Sequence, residues 1–372
     1  MGPSDALRYN KGCHERPIVV WNCTRKCNLH CVHCYFSAGG QRPSIVISTE
    51  DSKNFIRDLA DFGVPVLLFS GGEPLLREDI FELADFAVEQ GIRTALSTNG
   101  TLITGEVAEK IRSTGFAEVG ISLDGIGPTN DRLRDKKGAY EKALQGIRNC
   151  VVLGLRVSLR FTITRSNYME IPAIFDLVER EGIARVCFYH LAYVGRASNL
   201  SKHDLSHSET RVVVDLICER TVDLYQRGIP KEVLTVDNHV DGIYLYLKLR
   251  KHDPEQAEHV LALLRTNGGN QSGVAIGAVD ELGNVHPDQF WQHYSLGNVR
   301  QRRFSDIWLD TSDPIMAGLK NRKRLLNGRC ARCQYRDLCN GNLRVRAEAV
   351  FDDVWAPDPA CYLTDNEIGL ND

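Results

Sequence analysis

Cys27-Asn28-Leu29-His30-Cys31-Val32-His33-Cys34 is the stretch on which the reading of this chain turns. Three thiols at this spacing can converge on one inorganic centre from a single loop. An iron–sulfur cube has four iron corners, and a cube held by four cysteines carries electrons only. If Cys27, Cys31 and Cys34 take three corners, the fourth is open to another ligand. A closed tetrahedral zinc site is the competing reading, with Cys23 as fourth thiol. The flanks weigh against zinc. Pro17-Ile18-Val19-Val20-Trp21-Asn22 reads as a buried strand, so the cysteines sit on the loop that follows it. Tyr35 comes directly after the last cysteine, where its ring can cover a flat ligand. A second apolar strand, Val66-Leu67-Leu68-Phe69, runs into Gly71-Gly72-Glu73-Pro74, a turn whose backbone can approach a ligand closely.

Together the triad, the aromatic after it and this turn resemble the radical S-adenosylmethionine (SAM) superfamily. The resemblance implies a 4Fe–4S cluster on Cys27, Cys31 and Cys34 whose open iron chelates SAM, and release of a 5′-deoxyadenosyl radical when a carbon–sulfur bond breaks. The protein then positions and shields the cofactor's chemistry. The resemblance also implies an external electron donor of flavodoxin or ferredoxin type.

The whole chain sets outer bounds. Its 372 residues, 43% hydrophobic, suffice for one large domain and a smaller one. A net charge of −3, from 45 basic and 48 acidic side chains, implies no global attraction to nucleic acid or an anionic membrane. No apolar run approaches the roughly 20 residues that span a bilayer, and the N-terminus has no apolar signal segment. A cytoplasmic protein is expected. In such a chain the 12 cysteines speak for metal more than disulfides. Two groups stand out: the triad, and Cys330, Cys333, Cys339 and Cys361. Cys13, Cys23, Cys150, Cys187 and Cys218 read as small buried or incidental residues.

Six short apolar runs alternate with amphipathic ones: 18–21, 66–69, 94–97, 119–123, 157–162 and 186–190. Helical segments lie near 49–62, 78–90, 104–114, 139–153 and 170–181. Ser48 or Thr49, and Thr104, are start signals. Gly63, Gly91, Gly115, Gly154 and Gly182 fall where helices should end. Such repeats imply a parallel sheet with right-handed crossovers. The fold predicted is α/β, a (βα)6 partial TIM barrel, with a smaller C-terminal α+β domain. The expected divisions are a lead-in over 1–16, the barrel over 17–195, a helical connection over 196–270 and an auxiliary-cluster domain over 271–372. Functional groups should gather at the C-terminal strand ends. Those ends carry the cysteine loop, the Gly71–Pro74 turn, Ser97-Thr98-Asn99-Gly100, Ser122-Leu123-Asp124-Gly125, Arg160, and Tyr189-His190 with Arg196 just beyond. By similarity to the family, Gly72 and Glu73 lie near the SAM amino group, and Asn99, Ser122 and Arg160 near its carboxylate and ribose.

Beyond the barrel, helices are expected over 208–227 and 254–265. The polar run Thr235-Val236-Asp237-Asn238-His239-Val240-Asp241-Gly242 between them reads either as an ordinary loop or as a substrate-facing one. Residues 273–288 look like the β-hairpin that opens a SPASM or Twitch extension. His286, Asp288 and Gln289 stand where the fuller version has cysteines, so a first auxiliary cluster is not expected. Cys330, Cys333, Cys339 and Cys361 match the second auxiliary 4Fe–4S cluster, with structural zinc as the alternative. Leu343 takes the position of that extension's extra cysteine.

Residues 341–348 and 355–362, with 286–291 and Asp237-Asn238-His239, are similar to enzymes that modify siroheme-derived tetrapyrroles. One branch removes acetate groups from didecarboxysiroheme to give iron-coproporphyrin; another acts on propionates. An iron tetrapyrrole fringed with carboxylates suits arginine forks, with Arg160, Arg196, Arg344 and Arg346 as candidates. His190, His239, His286 and His293 are candidate proton donors or ligands; His190, Arg196, His239 and His286 are the catalytic candidates. A peptide maturase using the same extension, a zinc protein and an electron carrier that does not use SAM remain the alternatives.

Overall fold

The computed structural model describes residues 16–39 and 46–370. Cys13, and all of the expected lead-in except Arg16, lie outside them. One sheet organises the rest. Seven parallel strands run in chain order: β1 (Ile18–Asn22), β2 (Val66–Ser70), β3 (Arg93–Thr98), β4 (Glu118–Ser122), β5 (Val157–Thr162), β6 (Arg185–Tyr189) and β7 (Glu232–Val236). The helices that cross between them include α1 (Thr49–Phe62), α2 (Ile80–Glu89), α3 (Gly105–Thr114), α4 (Pro128–Arg134), α5 (Ala139–Val152), α6 (Ile171–Arg180) and α7 (His207–Gln226). The sheet does not close: it is an unclosed partial barrel.

The local chemistry explains these elements. Each of the first six strands contributes fully buried apolar residues to the core, while β2 and β3 alternate buried with half-buried positions. Val19, Leu67, Leu96, Val119, Leu159 and Val186 are all fully buried in one core. Ser48 caps α1 by accepting from the Asp51 amide at 3.1 Å, and Thr104 caps α3 by accepting from Val107 at 3.2 Å. Gly63 and Gly115 end those helices in the left-handed region, at φ 81° each.

The sheet extends past six strands on both sides. On one side β7 pairs with β6, from Arg185↔Glu232 to Tyr189↔Val236. Every residue of β7 is only half-buried, so it lacks the fully buried residues that each of the other six contributes. The run 235–242 is therefore no simple loop. Its first two residues finish β7, and Val240 opens α8 (Val240–His252), which is followed by α9 (Pro254–Asn267). On the other side the hairpin of β8 (Ile276–Val279) and β9 (Asn284–His286) joins the barrel sheet, β8 pairing parallel to β1. Its neighbour β10 (Gly297–Asn298) closes that edge. Among the described residues, no helix is long and apolar enough to cross a membrane.

Candidate active site

The cysteine loop leaves β1 and lies across the strand ends without regular structure. Close backbone packing holds it there. The Gly72 amide donates to Thr24 O at 2.7 Å, and the Glu73 amide to Lys26 O at 2.8 Å. A Cβ at Gly72 would lie 2.1 Å from Lys26 O, and one at Gly71, where φ is 127°, would lie 2.5 Å from Thr24 O. Only glycines let this turn approach so closely. From the other side, Gly195 packs where a Cβ would meet Tyr35 O at 2.3 Å. Arg196 donates its amide to Cys34 O (3.0 Å), Nε to Cys31 O (2.7 Å) and Nη1 to Ala38 O (2.9 Å).

Cys27, Cys31 and Cys34 all line a cavity of about 1220 Å³, its open mouth included. Each sulfur has an N–H aimed at it: Asn99 Nδ2 at 4.0 Å from Cys27, Arg134 Nη1 at 3.5 Å from Cys31, and the Ala38 amide at 3.4 Å from Cys34. Burial pushes the Cys27 thiol up to about 12 and raises Cys31 as well, so thiolates here need a bound cation. Three thiols sharing one roomy cavity, each backed by a donor, fit a cluster held at three corners. Cys23 does not join them: fully buried, it donates its thiol to Ser70 O at 3.3 Å.

The cavity wall unites most of the candidates read from sequence: Tyr35, Gly71, Gly72, Asn99, Ser122, Arg160, His190 and Arg196. Glu73 stands behind the wall. Its carboxylate accepts from Thr98 Oγ1 (2.8 Å), the Asn99 amide (2.8 Å) and the Leu75 amide (3.2 Å), and so ties the turn after β2 to the end of β3. Burial lifts its pKa to about 7. Tyr35 donates its hydroxyl to Asn22 Oδ1 at 3.0 Å and packs its ring edge-on against Phe290. Arg160 donates to Ser97 Oγ at 2.5 Å. It crosses β4 at Gly120, where a Cβ would lie 2.2 Å from its Nε. Neither Arg160 nor Arg196 has a carboxylate partner among the described residues.

Other groups were not singled out from sequence. Arg134 is buried and ion-paired with the fully buried Asp124, which also accepts from His33 Nε2 at 2.9 Å and the Thr162 amide at 2.7 Å. Burial opposes charge on Asp124, but Arg134 and His33 hold its pKa below the usual carboxylate range. Asp237, in the left-handed region at φ 67°, lines the cavity from the end of β7, and burial lifts its pKa to about 7. His190 Nε2 pairs with Asp241 Oδ2 at 2.9 Å, and Asp241 Oδ1 accepts from Tyr362 at 2.9 Å. Asp237 belongs to the polar run 235–242 and to the Asp237-Asn238-His239 stretch of the resemblance, neither of which gave it a role of its own.

The remaining candidates lie off this cavity. The His286 ring meets Tyr294 O at 2.7 Å and Asp280 at 3.5 Å inside the hairpin. His239 is the N-cap of α8, and burial lowers its pKa to about 4. His293 pairs with Glu348 at 3.0 Å. Arg344, fully buried, donates to Val354 O, Ala356 O and Gly341 O. Arg346 pairs with Asp358 at 3.2 Å and donates to Asp237 O.

Residues 21–178 match the radical SAM superfamily. A curated relative, Fe-coproporphyrin III synthase of Methanosarcina barkeri, is 56% identical over 99% of this chain and 96% of its own length. The chain belongs to the radical SAM superfamily. Pre-heme d1 synthase of Dinoroseobacter shibae is 43% identical over 95% of this chain and 88% of its own. In fold, the chain matches SuiB of Streptococcus suis, solved bound to S-adenosylmethionine, with a TM-score of 0.75 and 18% identity, covering 97% of this chain and 80% of that one. The protein is a radical SAM enzyme, and the family implies SAM and a 4Fe–4S cluster for it.

The radical SAM barrel is followed by the second cysteine group. Cys330, Cys333, Cys339 and Cys361 line a separate cavity of about 370 Å³, walled by Val240, Ile243, Leu363 and Ile368. The Tyr335 amide lies 3.3 Å from Cys333 Sγ. Gly269, at φ 73°, packs where a Cβ would meet the Cys339 carbonyl carbon at 2.3 Å. Leu343 is buried against Trp291 and Val354.

Proposed function

We propose that this enzyme removes acetate side chains from didecarboxysiroheme to give iron-coproporphyrin. The observation that carries the reading is the pair Arg160 and Arg196. Both line the same cavity as the three thiols, and neither is spoken for by a carboxylate. A substrate fringed with carboxylates meets that need. The name of the 56%-identical relative supports the choice of reaction.

Cys27, Cys31 and Cys34 would hold the cluster, and with SAM bound it would supply radical chemistry at a substrate side chain. The chain's own residues do the rest. Asn99 and Ser122 hold the polar groups of SAM against the wall, which leaves Arg160 for a substrate carboxylate, and the Gly71–Gly72 backbone lets SAM lie close. Arg196 clamps the cysteine loop through three backbone carbonyls and turns its remaining charge to the cavity. Asp241 holds His190 by one ring nitrogen, which orients the other as a proton-exchanging group. Tyr35 and Phe290 form an apolar lid edge that keeps water from the reacting carbons. Cys330, Cys333, Cys339 and Cys361 hold an auxiliary 4Fe–4S cluster, and a reduced one-electron carrier supplies the electron.

The test is anaerobic reconstitution followed by incubation with SAM, dithionite and didecarboxysiroheme, with products read by mass spectrometry. Loss of acetate groups with formation of iron-coproporphyrin is expected. A product altered at its propionates instead moves the enzyme to the reaction suggested by its 43%-identical relative. If 5′-deoxyadenosine forms and the tetrapyrrole is untouched, the substrate assignment fails.

A further inference from the structure

The chain carries a net charge of −3, yet residues 320–336 read KNRKRLLNGRCARCQYR, seven basic side chains with no acid among them. Four of the seven are already engaged. Arg322 is buried and donates to Asn270 Oδ1 at 2.6 Å, and Lys320 donates to Trp308 O at 2.6 Å. Lys323 pairs with Asp337 at 2.8 Å and Arg329 with Asp365 at 2.9 Å. Arg324 and Arg332 remain, and Arg336 spends only Nη1, on Ala331 O at 2.7 Å; all three are exposed, and none has a carboxylate partner among the described residues.

Their place gives these three charges meaning. Arg332 stands between Cys330 and Cys333 in sequence, and Arg336 between Cys333 and Cys339. Arg336 also lines the four-thiol cavity itself. The four cysteines are only half-buried, and Arg336 stands at their cavity with Arg324 and Arg332 exposed nearby in the chain. A cluster held by four thiolates has no open corner and exchanges electrons only. A protein partner that reaches it must dock beside it. A net charge of −3 gives an acidic partner no global attraction, so a local cationic patch can select both partner and orientation.

We infer that Arg324, Arg332 and Arg336 form the docking face for a small acidic one-electron carrier protein, which delivers its electron to the four-cysteine centre. One electron leaves the carrier, which is oxidised by one, and the centre is reduced by one; no bond forms and no proton moves. The inference rests on the four-cysteine group holding an iron–sulfur cluster, as proposed above.

The test uses the reconstituted full-length enzyme without tetrapyrrole. Reduced flavodoxin is mixed with it in a stopped-flow cell, and bleaching of the iron–sulfur absorbance is followed from low to high salt. Wild type should show a bimolecular rate that falls steeply with ionic strength. The triple variant R324E/R332E/R336E should be slower by about tenfold or more at low salt and nearly salt-independent. Dithionite, which needs no docking face, should bleach both proteins alike, and this shows that the variant is folded and loaded. Reversal of Arg57, Arg112 and Arg148 on the barrel helices should change nothing. Equal flavodoxin rates for wild type and the Arg324 triple variant overturn the inference, as does equal slowing by the barrel-helix reversals. Iron analysis that finds only the triad cluster removes its premise. The tetrapyrrole assay with dithionite fails or succeeds independently of all these outcomes.

Discussion

The two cysteine groups are built alike and finished differently. In each, cysteines sit on irregular or short helical backbone held by a glycine with no room for a Cβ: Gly72 against Lys26 O, Gly269 against Cys339. The triad then opens onto about 1220 Å³ lined with guanidiniums, amides and hydroxyls. The four-cysteine group lines about 370 Å³, its mouth included, where Val240, Ile243, Leu363 and Ile368 stand beside Arg329 and Arg336. On the proposed reading, three thiols beside polar side chains make a place where a ligand binds, and four thiols make one where only charge moves.

The largest effects separate the two groups outright. Cys31→Ala should abolish 5′-deoxyadenosine formation and lower iron from about eight to about four per chain. Cys339→Ala should lose the same iron but still cleave SAM under dithionite. Anaerobic iron analysis beside a SAM-cleavage assay reads both. If the two variants lose SAM cleavage equally, the division of labour is wrong.

The glycines probe the same contrast one step back. Gly72→Ala forces a methyl into Lys26 O, a backbone atom that cannot swing aside, so the triad should fail to load while the other centre stays. Gly269→Ala, strained also by its left-handed φ, should do the reverse. Metal content and visible spectra after reconstitution check both.

The sequence carried the cysteine spacings and the six barrel strands because each is a local signal. The barrel strands print themselves as short stretches with apolar residues that become fully buried, and cap residues mark the helix ends. β7 printed nothing comparable: it is an edge strand, half-buried throughout, and its polar continuation masked the start of α8. Gly120 is invisible for another reason, since the atom it makes room for lies on β5. Asp124 stood in the chain as one member of a turn, and only folding brings Arg134 and His33 to it. His239 and His286 show the converse, because a histidine's residue type does not say which way its ring faces.

That buried trio gives a subtler asymmetry. Cys31 has a guanidinium on its sulfur, while Cys333 has a backbone amide. A positive donor stabilises the more negative, reduced cluster. Arg134→Gln should therefore lower the reduction potential of the triad cluster and cut SAM cleavage by about 10- to 100-fold. Asp124→Asn, which removes the countercharge behind Arg134, should shift the potential the other way. An EPR-monitored redox titration reads the sign. Shifts of the same sign in both variants would mean that they act through general loosening, not through charge.

The smallest effect concerns pH. Glu73, behind the triad wall, has its pKa raised by burial from 4.5 to about 7; no carboxylate lines the four-cysteine cavity among the described residues. A raised acid pKa means that the folded state holds a proton the unfolded state has released. The stabilisation is complete below about pH 4.5 and is lost as pH rises through about 7, a swing of about 3 kcal/mol at most. Glu73→Gln loses carboxylate hydrogen bonds at every pH, so its absolute stability falls. What identifies the titration is the slope: between pH 5 and 8 the wild type should lose stability relative to the variant. Chemical denaturation across that range measures it. Parallel curves would mean that Glu73 is ionised throughout, held so by the Asn99 and Thr98 bonds, and that the wall beside the triad carries a fixed negative charge.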